Sequence, residues 1–367
     1  MVGCYVHVPF CARRCGYCDF NTSVLGASRL TPDGWLAGLR AEIALVADAR
    51  LLRTVFFGGG TPTLLGSDLP ANALAALRDA FGLEPGAEVT IEANPETVTE
   101  PLLDALLAAG FTRLSLGMQS ADPAVLATLD RAHRPGHATW CVAAAHRAGF
   151  VDVSLDLIYG TPGESLASWR NTLEAALEAG PQHISCYALI VEPGTPLARR
   201  IAGGVLPVPD DDLMADEYLL ADDLLAEAGF PWYELSNWAR PGHECRHNLG
   251  YWRSDDWWGF GPGAHSHIAQ RRWWNHRSGT RWAAALQRGE SPVAGSEIVD
   301  DVMAHEERVL LELRLATGLP QSQLSKTEAA RLPGLVGDGL LVDDGGRLVL
   351  TQRGRLLADK VVRDLLD

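Results

Sequence analysis

Short runs rich in β-branched and aromatic residues alternate, over the first 230 positions, with longer stretches in which Leu and Ala recur at helical spacing. The strand-like runs fall at 5–8, 54–57, 88–92, 113–116, 152–157 and 183–189. Amphipathic runs occupy 34–47, 67–81, 100–109, 137–148 and 165–179 between them. Gly110, Gly149 and Gly180 stand where three of these helices would end, in the left-handed conformation that closes a helix. Such alternation predicts an α/β protein with a parallel sheet and right-handed crossovers. Six units suit a partial six-stranded (β/α) barrel better than a complete eightfold one. An open doubly wound sheet is the other arrangement the pattern allows.

The texture changes near residue 230. Residues 231–282 hold eight of the 11 tryptophans and five of the 11 histidines, with little regular period. Three domains are therefore expected: the barrel over 1–230, a Trp/His-rich connecting region over 231–299, and a small module over 300–367. In the last, a helix at 303–315, a shorter one at 321–331, a hairpin near 339–349 and a final helix at 353–366 predict a winged-helix-like fold.

Composition narrows the chemistry. With 47% hydrophobic residues in 367, the chain can bury a large core. Its net charge of −15 repels phosphate backbones, and the arginines of the C-terminal module are interleaved with acids, so no nucleic-acid role is expected. Lys326 and Lys360 are the only lysines, which removes Schiff-base and P-loop lysine chemistry from the main domain. No apolar run approaches the roughly 20 residues of a membrane span, so no transmembrane segment is expected. Residues 1–9 lack a basic stretch followed by an apolar core. The expected location is the cytoplasm.

Seven cysteines are present, and Cys11, Cys15 and Cys18 crowd into eight positions just after the first strand. A structural zinc site wants four ligands, commonly in two separated pairs. Here Asp19 stands where a fourth might be. Three thiolates could instead hold a [4Fe–4S] cluster with one iron left open, the arrangement that reductive cleavage of S-adenosylmethionine requires. Other strand ends add polar groups on the same face: Gly58-Gly59-Gly60-Thr61 after the second strand, Glu92 at the third, Gln119 after the fourth and Asp156 in the fifth. Glycines let backbone approach a ligand closely. A carboxylate in an apolar strand needs a donor, which ribose hydroxyls or an internal hydrogen bond could supply.

Taken together, Tyr5-Val-His-Val-Pro-Phe-Cys11, CxxxCxxC, Gly-Gly-Gly-Thr-Pro-Thr, Ile91-Glu92-Ala-Asn-Pro and Asp156-Leu-Ile-Tyr-Gly resemble the radical S-adenosylmethionine (radical SAM) proteins related to oxygen-independent coproporphyrinogen III dehydrogenase. The resemblance covers nearly the whole chain. It implies a radical SAM partial barrel, with Cys11, Cys15 and Cys18 as cluster ligands. Tyr5, Tyr17, Gly59, Gly60, Thr61, Glu92, Gln119, Arg131, Asp156 and Ile190 would line the S-adenosylmethionine site. Arg131 would meet the cofactor's carboxylate, although the adjacent Asp130 could occupy it instead.

Two features point to a branch. The dehydrogenase pattern carries another cysteine two places after the third, whereas Cys18-Asp19-Phe20 is similar to the HemW-type heme chaperones. His247-Asn248-Leu-Gly-Tyr251-Trp252 matches the HNxxYW motif that this family associates with heme. Imidazole is a common axial ligand, and aromatic rings offer a flat apolar surface to a macrocycle. The same residues also read as an aromatic cover with His247 hydrogen-bonded internally, and Cys245 and His265 are lesser candidates. The resemblance implies a chaperone binding heme, the cluster and S-adenosylmethionine. Its partners would be heme-accepting respiratory enzymes, with peripheral membrane contact through them, an iron-storage protein as donor, and a homodimer. Oxidative decarboxylation of coproporphyrinogen III is the alternative activity.

Overall fold

Strands that are apolar along their whole length must be covered on both faces. The computed structural model, which describes residues 2–367, provides that cover. Parallel strands and helices follow one another as β1 (Val2–Val8), α1 (Pro32–Ile43), β2 (Leu52–Gly59), α2 (Asp68–Phe81), β3 (Leu83–Ala93), α3 (Glu100–Ala109), β4 (Arg113–Gln119), α4 (His137–Ala148), β5 (Asp152–Tyr159), α5 (Leu166–Ala179) and β6 (His183–Ala188). The six strands pair in sequence order, with Gly3 opposite Thr54, Thr90 opposite Arg113 and Ser154 opposite His183. Gly110, Gly149 and Gly180 close α3, α4 and α5 in the left-handed region, as the sequence suggested. A further helix, α6 (Asp211–Glu227), packs beside α5 and is capped by the Asp210 carboxylate on the amides of Asp212 and Leu213. The result is a partial (β/α) barrel with its helices outside.

Residues 231–299 do more than connect. Beyond β6 they add the antiparallel strands β7 (Trp232–Glu234) and β8 (Asn237–Ala239). Helix α7 (Arg246–Trp252) then crosses under the barrel, and β9 (Asp256–Phe260) pairs parallel with β1 at the opposite end. Strands β10 (His265–Ile268) and β11 (Arg271–Asn275), helix α8 (Gly279–Gln287) and β12 (Val293–Ile298) complete an open sheet of order β12-β11-β10-β9-β1-β2-β3-β4-β5-β6-β8-β7. Glu42 of α1 locks this extension down. Its carboxylate accepts from the Gly261 amide at 2.9 Å, Asn275 Nδ2 at 2.5 Å and the Trp282 indole at 2.9 Å.

The C-terminal segment has its own core of Val309, Leu313, Leu335, Leu348, Val361 and Leu365, among others. It contains α9 (Asp301–Glu312), a three-stranded sheet of β13 (Leu319–Pro320), β14 (Leu341–Asp344) and β15 (Arg347–Leu350), and α10 (Ala358–Leu366). Arg355 ties it to the barrel: its guanidinium bonds both Asp222 oxygens and lies over the Trp232 ring at 4.4 Å. Among the described residues, no helix is long and apolar enough to cross a membrane.

Candidate functional site

A cavity of about 560 Å³ runs from the cysteine loop down the inside of the barrel. Its upper wall is the loop itself. Phe10–Cys11 form a two-residue parallel ladder with Ser23–Val24, and the Gly16 backbone is pinned between the Leu129 carbonyl and the Leu197 amide. His7 contributes from β1: Nε2 donates to the Asn21 carbonyl at 2.9 Å, leaving Nδ1 to accept from the Tyr5 hydroxyl at 3.0 Å. Cys11, Cys15 and Cys18 all border the cavity and are free thiols. Burial pushes the Cys11 and Cys18 thiols up, and charge on the neighbouring Cys15 adds to it. Three thiols on one short loop share this cavity wall, and a cationic centre bound there would favour their thiolate forms.

Below the loop, the end of β2 comes against the backbone of residues 8–10. The Gly60 amide donates to the Val8 carbonyl and the Thr61 amide to the Phe10 carbonyl, each at 2.7 Å. A Cβ at Gly60 would strike the Phe10 carbonyl oxygen, so only glycine fits there. Gly59 (φ 108°) gives its amide to Glu92 Oε2 at 3.1 Å. Burial, and then the charge of Asp156, raise the Glu92 carboxyl to about 8 against that hydrogen bond. Asp156 accepts from Ser115 at 3.0 Å and Ser185 at 2.8 Å, and burial still pushes it upward.

Gln119 ends β4 with φ 62°, a left-handed backbone that costs a non-glycine residue about 1 kcal/mol or more. Arg131 turns away from Asp130. It donates to Cys15 Sγ at 3.4 Å, Asn94 Oδ1 at 2.7 Å and the Gly117 carbonyl at 2.9 Å. Its Nε is buried and has no protein acceptor.

Every residue expected to line a nucleotide site therefore borders this one cavity: Tyr5, Tyr17, Gly59, Gly60, Thr61, Glu92, Gln119, Arg131, Asp156 and Ile190. Of the HNxxYW set, His247, Asn248 and Tyr251 line its floor and Trp252 does not. Sequence reasoning overlooked the group that holds this floor. Glu88, in β3, accepts the amides of Arg246 and His247 at 3.1 and 2.9 Å and so caps α7, while pairing with buried Arg113. Asn248 donates to Glu234 at 2.8 Å.

His247 is not placed as an open axial ligand. Nδ1 lies 2.8 Å from Thr54 Oγ1 and Nε2 lies 3.0 Å from the Tyr251 hydroxyl, with the ring stacked on Phe56. It is 4% exposed, and burial lowers its pKa to about 3. Cys245 is also buried here, against Glu88, whereas His265 is exposed outside the barrel and stacked on Trp274.

The model of the Radical SAM superfamily matches residues 5–176. The heme chaperone HemW of Mycobacterium tuberculosis (strain ATCC 25618 / H37Rv) is 53% identical over 370 residues, covering 99% of this chain and 94% of that protein. The heme chaperone HemW of Synechocystis sp. is 38% identical over 339 residues, covering 89% and 82%. Among solved structures, coproporphyrinogen III oxidase (HemN) from Escherichia coli superposes with a TM-score of 0.87 over 99% of this chain and 89% of that one. At 24% identity this is a likeness of fold.

Proposed function

The chain belongs to the HemW-type family of radical SAM proteins, and from that premise we propose that it holds a [4Fe–4S] cluster and S-adenosylmethionine in the barrel cavity and acts as a cytoplasmic heme chaperone. One observation carries the cofactor reading: three loop thiols and the polar strand ends Glu92, Gln119, Arg131 and Asp156 border a single cavity. The donor set fits. Cys11, Cys15 and Cys18 would hold three irons, and the fourth would stay open to the nucleotide. Arg131, with a buried N–H lacking a protein acceptor, suits a carboxylate. Glu92 and Asp156 suit hydroxyl donors. The cluster, when bound, supplies an electron to the sulfonium. The chain's own residues bind and orient: Gly60 admits close backbone approach, and His7 fixes the cysteine loop through Asn21.

Heme enters as cargo, taken up, carried and passed to heme-accepting respiratory enzymes. An iron-storage protein as donor, a homodimeric state and membrane contact through the acceptors complete the proposal. The axial role expected for His247 is not carried forward, since both ring nitrogens are already engaged inside the fold.

The test is an anaerobically reconstituted preparation assayed for iron, acid-labile sulfide, hemin transfer to an apo-hemoprotein, and deoxyadenosine formation with coproporphyrinogen III. Iron and sulfide in equal amounts together with hemin transfer are expected. Zinc in their place would sink the cofactor reading. Sustained porphyrinogen decarboxylation would replace the chaperone by an enzyme.

A further inference from the structure

Between β4 and α4, three consecutive residues clasp the cysteine loop. The Leu129 carbonyl accepts the Gly16 amide at 3.2 Å, the Asp130 carbonyl accepts from the Arg13 guanidinium, and Arg131 Nη1 donates to Cys15 Sγ at 3.4 Å. Asp130 holds a left-handed backbone (φ 56°), a strained state for a residue with a Cβ. Across that turn the Asp130 carboxylate sits against Gly16, where a Cβ would strike it, and the Arg131 side chain enters the cavity.

The three loop sulfurs are therefore served unequally. Cys11 is met by the hydroxyls of Thr22 and Thr61, and Cys18 by the Phe20 backbone. Cys15 receives a guanidinium N–H instead. That guanidinium has little freedom, because Nη2 also donates to Asn94 Oδ1 at 2.7 Å and to the Gly117 carbonyl at 2.9 Å. Both of these acceptors are neutral, so they hold the cation in place without cancelling its charge. An electron added to an iron–sulfur cluster increases its negative charge, and part of that charge lies on the ligand sulfurs. A charged donor fixed on one sulfur stabilises the reduced state and raises the reduction potential.

Resting on the cofactor reading above, we propose that Arg131 is a positioning residue with a second duty: besides facing the nucleotide's carboxylate, it fixes a charged N–H on Cys15 and thereby sets the reduction potential of the cluster. The step it acts on is the entry of one electron from an external low-potential donor. No bond to Arg131 forms or breaks, and its proton stays on nitrogen. A freely rotating cation would spend little time on the sulfur, which gives the Asn94 and Gly117 contacts their use.

The experiment uses the full chain, reconstituted without oxygen, checked for iron and acid-labile sulfide, and kept free of S-adenosylmethionine. Reduced cluster is counted by electron paramagnetic resonance while dithionite and mediators step the solution potential. Wild type is compared with Arg131→Met, Arg131→Gln and Arg14→Met. At a fixed potential, each Arg131 variant is expected to show a ratio of reduced to oxidised cluster about tenfold lower, a midpoint about 59 mV more negative. A midpoint is independent of occupancy, so a variant that loads only part of its cluster still reports. Arg14→Met removes the same charge from the loop, but that guanidinium donates to the Cys18 and Phe20 carbonyls at 3.1 and 3.4 Å. Its loss is expected to move the midpoint by a small fraction of that shift. Wild-type midpoints in the Arg131 variants overturn the redox duty and leave the cofactor reading standing. An equal shift in Arg14→Met shows that net charge alone sets the potential and overturns the hydrogen-bond assignment. A wild type holding neither iron nor sulfide overturns the cofactor reading and the redox duty with it.

Discussion

Replacing His247 by alanine separates a heme ligand from a structural floor. In the fold, the imidazole satisfies Thr54 Oγ1 and the Tyr251 hydroxyl and stacks on Phe56 with centroids 5.2 Å apart. Its removal orphans two polar atoms, at about 1–3 kcal/mol each when buried, less what water from the adjoining cavity restores. A loss of about 3 kcal/mol at pH 7.5 is expected. The pH dependence sharpens the test. Burial lowers the folded pKa from its ordinary 6.5 to about 3, so the unfolded chain binds the proton first. The stability contributed by neutral His247 is complete above pH 6.5 and drains away as pH falls toward 3. By linkage the drain is roughly 1 kcal/mol at pH 5.5 and about 4 kcal/mol at pH 3. The gap between wild type and His247→Ala should therefore narrow from about 3 to about 2 kcal/mol between pH 7.5 and 5.5. Denaturant unfolding at the two pH values measures the gap, and hemin titration runs alongside. A variant with unchanged unfolding midpoints and a collapsed Soret band would refute the floor assignment and restore the axial one.

Other substitutions probe the remaining supports. Gly60→Ala places a Cβ against the Phe10 carbonyl and should cost about 1–3 kcal/mol. Because Cys11 rides on that segment, iron content after reconstitution should fall by more than half; full loading would show that the loop can shift freely. Arg131→Gln removes the donors to Cys15, Asn94 and the Gly117 carbonyl and should weaken S-adenosylmethionine binding about tenfold or more, read by anaerobic calorimetry. Unchanged affinity would remove Arg131 from the site. Asp222→Asn leaves the Arg355 guanidinium buried without its charge partner, at about 3 kcal/mol, and should expose residues 300–367 to limited proteolysis. Equal cleavage rates would show that other contacts carry that junction.

The barrel was legible because its strands are nearly continuous apolar runs and three of its helices stop at a glycine. Both signals are local. Helix Asp211–Glu227 was missed because the acids Glu217 and Asp222 fall on the buried face and interrupt the apolar stripe that Tyr218, Ala221 and Leu225 present to the core, although Asp210 is a recognisable cap. The strands beyond residue 231 escaped for a different reason. Trp257 and Trp258 are neighbours on one strand and point to opposite faces, the first toward Tyr251 and His267, the second toward Phe81 and Trp273. When both faces are packed, the alternation that advertises a strand disappears. An aromatic cluster then reads as irregular.

The site divides along the same line. Cysteines within eight positions, a glycine run and strand-end carboxylates are spaced by local geometry, so their grouping could be inferred before any fold was known. What His247 does could not be, because its partner Thr54 lies 193 positions away and its helix is capped by Glu88, 159 positions away. Three strands grip that one short helix: β3 through Glu88, β7 through Glu234 on Asn248, and β2 through Thr54. Each of these contacts demands a particular residue in the motif. Asn must donate, and a neutral His must donate with one nitrogen and accept with the other. A histidine-rich, aromatic signature can therefore record the requirements of sealing the bottom of a barrel.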